Sequence, residues 1–201
     1  RDRLKRGKGI KVFSRPETLR SFLAANGIRL EDRESCIIDA GRLVPGFSKL
    51  ASEKAEFFVH SPFAWRSDER GLEDRNQDSI IVQVTFSEQG SETHVLLGAD
   101  ADHETLTELV KATKRHGNED RLEWDVLKLF HHCSYLSLGP VRGTDRTQPV
   151  DEVKWLMEEQ ARDGCIVISP SKEIPAKGTA EDRDPQPPHR QAANYYKGML
   201  D

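Results

Sequence analysis

The chain has 201 residues, of which 36% are hydrophobic and 32% charged, a composition that suits one globular domain or one half of a larger one. A net charge of -4 and a pI near 6.0 exclude a general nucleic-acid-coating protein, and no apolar run approaches the roughly 20 residues that span a bilayer. The three cysteines, Cys36, Cys133 and Cys165, are far apart and form no C-x-x-C pair. That argues against a disulfide scaffold or a thiolate zinc knuckle and points to reduced thiols in a cytoplasmic compartment.

In chain order, the basic stretch Arg1, Arg3, Lys5, Arg6, Lys8 and Lys11 reads as a solvated terminus, with a phosphate-contacting arm as the alternative. Because the chain starts at Arg1 rather than Met, a natural N-terminus upstream is expected. Ser14-Arg15-Pro16-Glu17 has the spacing of a capping box; Leu19, Phe22 and Leu23 then make an apolar stripe that Asn26-Gly27 ends. Residues 35–41 read as a short strand or turn, and 55–60 as a strand ending at Ser61-Pro62. A charged loop follows over 64–78, mixing Arg66, Arg70 and Arg75 with Asp68, Glu69, Glu73 and Asp74.

The clearest strand signal is 79–86, where Ile80, Val82, Val84 and Phe86 share one face and Gln83 and Thr85 the other. Gln89-Gly90 supplies turn chemistry before a strand at 94–98, which predicts an antiparallel hairpin. A helix is predicted over 103–116, with Leu106, Leu109 and Val110 buried, and a strand over 125–130. Pro149 opens a helix that turns Val153, Leu156 and Met157 inward, and 165–169 is the last strand. Five prolines make 170–188 a loop, and 189–200 is a closing helix. Strands followed by alternating strands and helices predict a layered α/β (α+β layered) arrangement.

Three places put candidate ligands where backbone leaves a strand or enters a helix. They are Asp100 after Leu96-Leu97-Gly98-Ala99, His131-His132 after the 125–130 strand, and His189 after Pro187-Pro188. A carboxylate and several imidazoles suit a borderline metal such as zinc or manganese. Blander readings stand beside these: Asp100 as a helix cap (though Asp102 is better placed for it), the histidine pair as buried and hydrogen-bonded, and His189 as a surface or capping residue. Cys133 admits three readings: replacement ligand, reactive thiol or small packed residue. His60 and His103 have no evident partner, and Lys128 reads as a structural strand residue.

Taken together, Asn76-Gln77-Asp78-Ser79-Ile80-Ile81-Val82, Leu96-Leu97-Gly98-Ala99-Asp100-Ala101 and Asp125-Val126-Leu127-Lys128-Leu129-Phe130-His131-His132-Cys133-Ser134 resemble the metallo-β-lactamase domain of ComEC-type competence proteins and related metallohydrolases. That family shows an N-x-x-S strand, an L-L-x-G-D-A strand end and a D-V-L-K-x-x-H-H-G-S strand end. The resemblance covers residues 55–137 well and extends loosely to His189. Here Gly98 sits one place earlier than the family glycine, and Cys133 stands where the family has Gly. The family's principal metal motif, H-x-H-x-D-H, does not occur in the chain.

The resemblance implies a metallo-β-lactamase-like αβ/βα sandwich of which only the C-terminal half is present. On that reading 1–54 is a linking, peripheral helix region and 55–201 a half-sandwich, the N-terminal half lying elsewhere. It implies a metal-dependent hydrolase, phosphodiesterase- or nuclease-like, with zinc or manganese and two ions in a complete domain, and with nucleic acid or another phosphodiester as substrate. Asp100, His131 and His132 would be catalytic and, with His189, metal ligands. Ser134 would contact substrate, although for Ser134 and Ser137 a turn-stabilising role also fits. A degenerate, non-catalytic module for partner binding and an ester, lactone or thioester hydrolase are the alternatives.

Overall fold

The computed structural model describes residues 1–14, 17–62 and 79–200. The expected charged loop 64–78, the Asn76 end of the N-x-x-S string and the Arg15-Pro16 centre of the capping box lie outside the described residues.

The protein is mixed α/β. Its main sheet has six strands in sequence order: β3 (Arg42–Leu43), β4 (Ala55–Ser61), β5 (Ile81–Glu88), β6 (Ser91–Gly98), β7 (Trp124–Lys128) and β8 (Ala161–Ile168). Neighbours are antiparallel as far as β6; β6–β7 and β7–β8 are parallel. The change has a simple cause. Gln89 and Gly90, at φ 51° and 86°, make a two-residue turn that reverses the chain between β5 and β6. The connections after β6 and β7 instead carry helices, which return the chain to start a parallel strand.

The first of these is α3 (His103–His116). Asp102 caps it, accepting a hydrogen bond from the Thr105 amide at 2.8 Å, and Gly117 ends it in the left-handed conformation. Its Leu106, Leu109 and Val110 join Leu96, Trp124, Leu127, Val153, Leu156 and Met157 in the main core. The last three come from α4 (Asp151–Lys154) and the π-helical turn Trp155–Glu159 that continues it. The closing helix α5 (Arg190–Leu200) adds Ala192, Ala193, Tyr195 and Tyr196. The helices therefore cover one face of the sheet.

On β5 the parity of the sides is as expected, but the polar side is the better buried. Ile81, Gln83 and Thr85 are enclosed, whereas Ile80 and Phe86 are exposed. Gln83 tolerates this because its side-chain amide donates to the Glu123 carbonyl at 2.8 Å.

On the sheet's other face, Val59 packs with Ile38 and Val44, flanked by Phe13, Phe57 and Val82. Towards β8 this face is open: Ile166 is 57% and Ile168 51% exposed.

Residues that precede the sheet form α1 (Asp2–Arg6), α2 (Glu17–Ala24), a 3₁₀ turn (Leu30–Cys36) and a parallel pair, β1 (Val12–Phe13) and β2 (Ile37–Ile38). The basic terminus is thus partly folded. Leu4 packs with Leu19, Leu23 and Ile37, and the Arg33 guanidinium donates to the Leu4 and Lys5 carbonyls. Among the described residues no helix is long and apolar enough to cross a membrane.

Candidate functional site

Parallel pairing of Val95 with Val126, Leu96 with Leu127 and Leu97 with Lys128 brings the C-terminal ends of β6 and β7 side by side. The segments beyond them, Gly98 to Asp100 and Leu129 to His132, leave the sheet together and stay joined, the His131 amide donating to the Ala99 carbonyl at 3.0 Å. Phe130 lies against Gly98, where no side chain intervenes. Asp100 and the histidine pair, about 30 residues apart in sequence, thereby become neighbours.

The chain then makes a left-handed turn. His131, His132 and Cys133 have φ of 46°, 52° and 64°, a conformation that costs an L-residue roughly 1–2 kcal/mol. Several contacts hold it. The Cys133 amide donates to Phe130 O, the Ser134 amide to His131 O, and the His189 amide to Cys133 O, at 3.1, 3.0 and 3.1 Å. The Cys133 side chain is buried in the main core, where burial raises its thiol pKa to about 11. Of the three readings of Cys133, the structure supports the small packed residue.

This turn directs the two histidines differently. His132 is outermost. Its Nδ1 lies 2.9 Å from the Pro170 carbonyl, which can only accept, so Nδ1 carries the proton. In the neutral ring Nε2 then presents a lone pair, and it faces Asp100 Oδ1 at 3.4 Å. Two acceptors at that distance are drawn together only by something positive, a proton or a cation. Both side chains remain accessible, 53% exposed for His132 and 47% for Asp100. This pair fits two positions of a metal coordination sphere. Among the described residues no group of three or more His, Cys, Asp or Glu side chains is arranged to hold an ion.

His131 is half-buried, and its Nδ1 is buried without a hydrogen-bond partner among the described residues. His189 is fully enclosed, and both its nitrogens are used. Nδ1 accepts from the Tyr135 amide at 3.3 Å, and Nε2 donates to the Pro185 carbonyl at 3.2 Å. Burial, then the positive charge of Arg142, holds its pKa below the ordinary imidazole value; the Pro185 carbonyl pulls the other way. As placed, His189 braces the proline-rich loop against the turn and offers no free nitrogen.

Ser134 is also buried, its hydroxyl accepting from the Leu136 amide at 3.2 Å to cap the 3₁₀ turn Tyr135–Ser137. Ser137 donates to Ala101 O at 2.9 Å. His60 and His103 do have partners, Arg121 O at 2.8 Å and Leu136 O at 3.0 Å.

Two contributors escaped the motif reading. One is the Pro170 carbonyl, which sets the His132 tautomer from 38 residues away. The other is Lys128, whose Nζ donates to Gly98 O at 3.2 Å between the two strand ends. A backbone carbonyl leaves no residue-type signal, but Lys128 lies within the D-V-L-K string and was readable.

No protein-family model matches the chain, and no curated protein or solved structure matches it either.

Proposed function

We propose that this chain is the C-terminal part of a metal-dependent hydrolase, phosphodiesterase- or nuclease-like, in which Asp100 and His132 supply two metal ligands. The observation that carries this reading is the Asp100 carboxylate facing His132 Nε2 at 3.4 Å, with His132 Nδ1 turned to the Pro170 carbonyl. A second-partner hydrogen bond of this kind is what orients a metal-ligating imidazole. When bound, zinc or manganese would polarise the substrate and make a nucleophile available near neutral pH. In the same reading, the protein's own groups hold the donors. The left-handed turn points His132 outward, His189 and Ser134 stiffen that turn, and Phe130 against Gly98 sets the spacing.

The sheet supports the finer fold assignment, a metallo-β-lactamase-like half-sandwich. Helices cover one face, while the β8 end of the other carries exposed Ile166 and Ile168, as a face that packs on a second αβ layer would. The remaining ligands would come from such a layer, where the resembling family carries H-x-H-x-D-H. Reduced thiols fit a cytoplasmic setting.

A second reading, a degenerate module for partner binding, draws support from His189 and Ser134 being committed to structure. Metal content measured by plasma mass spectrometry decides between them. The wild-type chain should hold zinc or manganese stoichiometrically, and an Asp100→Ala/His131→Ala/His132→Ala variant should not. Wild-type protein that takes up neither metal when both are supplied would leave the binding module standing.

A further inference from the structure

Lys128 ends β7 and pairs across the sheet with Leu97 on one side and Ile168 on the other. Leu127 before it faces the helices and is fully buried, so alternation places Lys128 on the open face. Its stem runs between aliphatic neighbours and is half-buried. Its ammonium donates to Gly98 O at 3.2 Å, two residues before Asp100, and Lys128 itself lies four residues before His132.

A lysine so placed would ordinarily be neutralised by a carboxylate. The other half-buried cations are more fully satisfied: Lys49, Arg121 and Arg190 each meet a carboxylate, and Arg33 and Arg142 each spend several donors on backbone carbonyls. Lys128 has no ion pair among the described residues; its one partner there is a neutral carbonyl. An ammonium carries three donors, which leaves two unspent.

We propose that Lys128 binds the charged oxygen of an anionic substrate at the Asp100–His132 site, making the site selective for phosphodiesters over neutral esters. This rests on the proposed hydrolase reading and adds the residue that would select its anionic substrate. Gly98 O orients the ammonium, the two remaining N–H groups receive the non-bridging phosphate oxygen, and Asp100 and His132 remain free to hold the metal. A compact point charge suits a phosphate oxygen, and a neutral carbonyl ester would gain little from it.

The test is calorimetric titration of the chelator-treated chain and the zinc-supplied chain with inorganic phosphate and with a thymidine dinucleotide. Lys128→Met keeps the stem and removes the charge; Lys172→Gln, an exposed lysine two residues beyond Pro170, serves as the comparison. Lys128→Met should weaken both ligands about tenfold or more, the effect of one charge-assisted hydrogen bond, while Lys172→Gln leaves them within about twofold. Zinc content is read separately. It should survive Lys128→Met and fall in Asp100→Ala, so a failed metal reading and a failed phosphate contact give different results. Should Lys128→Met not fold, the Lys128 Nζ signal of ¹⁵N-lysine-labelled wild-type protein should shift on phosphate addition. Unchanged affinity in a folded Lys128→Met variant, a static Nζ signal, or no phosphate binding by the wild type would each overturn the proposal.

Discussion

The Phe130 ring sits so close over Gly98 that a β-carbon on Gly98 would lie 2.0 Å from Phe130 Cε1. Phe130 is completely buried, so the ring has nowhere to go. The contact joins the last residue of β6 to the residue before His131 and so sets how Asp100 and the histidine pair meet. It also gives a physical reason for glycine at position 98, one place earlier than in the resembling family.

Gly98→Ala should therefore lower stability by about 3 kcal/mol, as overpacking a buried site does, and weaken whatever Asp100 and His132 hold. Urea denaturation of Gly98→Ala, Phe130→Leu and the double variant checks this. Phe130→Leu should recover part of the loss, because the two changes share one contact. Additive losses would show that the strain lies elsewhere.

His132 and His189 should separate cleanly. His132→Ala should abolish metal uptake with little change in stability, since its side chain is half exposed. His189→Ala should leave a cavity and two unsatisfied backbone groups, Tyr135 N–H and Pro185 O, and cost about 2–4 kcal/mol. Parallel metal analysis and urea titration read the two effects. Loss of metal with full stability in His189→Ala would mean that this ring turns to the metal after all.

Acid stability should depend on His60. Burial, its largest cause, lowers this imidazole from 6.5 to about 4, with the Arg121 carbonyl partly opposing. Because the folded form resists protonation, the unfolded chain binds the extra proton first. Stability is then complete above about pH 6.5 and declines as pH falls towards 4, by about 3 kcal/mol over that window. His189, shifted in the same direction, adds to the decline. Urea midpoints between pH 7 and 4 should fall more steeply in the wild type than in His60→Gln, and equal slopes would rule His60 out as the source.

The cysteines should react in an order set by burial. Cys36 and Cys133 are enclosed, and the Cys133 thiol is pushed up to about 11, whereas Cys165 is half-exposed on β8. Mass-spectrometric mapping after brief iodoacetamide treatment of native protein should find label at Cys165 first, with Cys133 labelled only in denaturant. Rapid native labelling of Cys133 would place it at an accessible, functional surface.

Features that depend on nearby residues were legible in the sequence. Helix α3 runs over the residues its pattern predicts, because Asp102 caps it, Gly117 stops it and Leu106, Leu109 and Val110 lie three and four apart. The β5–β6 hairpin follows from Gln89-Gly90, and the parity of β5 from strict alternation. The Pro149 helix and the proline-rich loop were likewise local matters. The folding of the basic terminus was not, since α1 is held by Leu4 and by Arg33, 29 residues distant.

By itself, then, the sequence determined most of the main elements from α2 onward, their order and the three segments that carry candidate ligands, because caps, turns and periodicity act over a few residues. Tertiary structure decided how those segments are arranged. Strand pairing of β6 with β7 put Asp100 beside the histidines, the left-handed turn left His132 exposed and facing Asp100, and the loop's return along the core drew both His189 nitrogens onto backbone groups. Gln83 makes the same point in the core: its polarity marks an outer face, yet Glu123 O, 40 residues away, satisfies its amide and lets it be buried. A polar group's burial depends on partners that only the folded chain brings within reach.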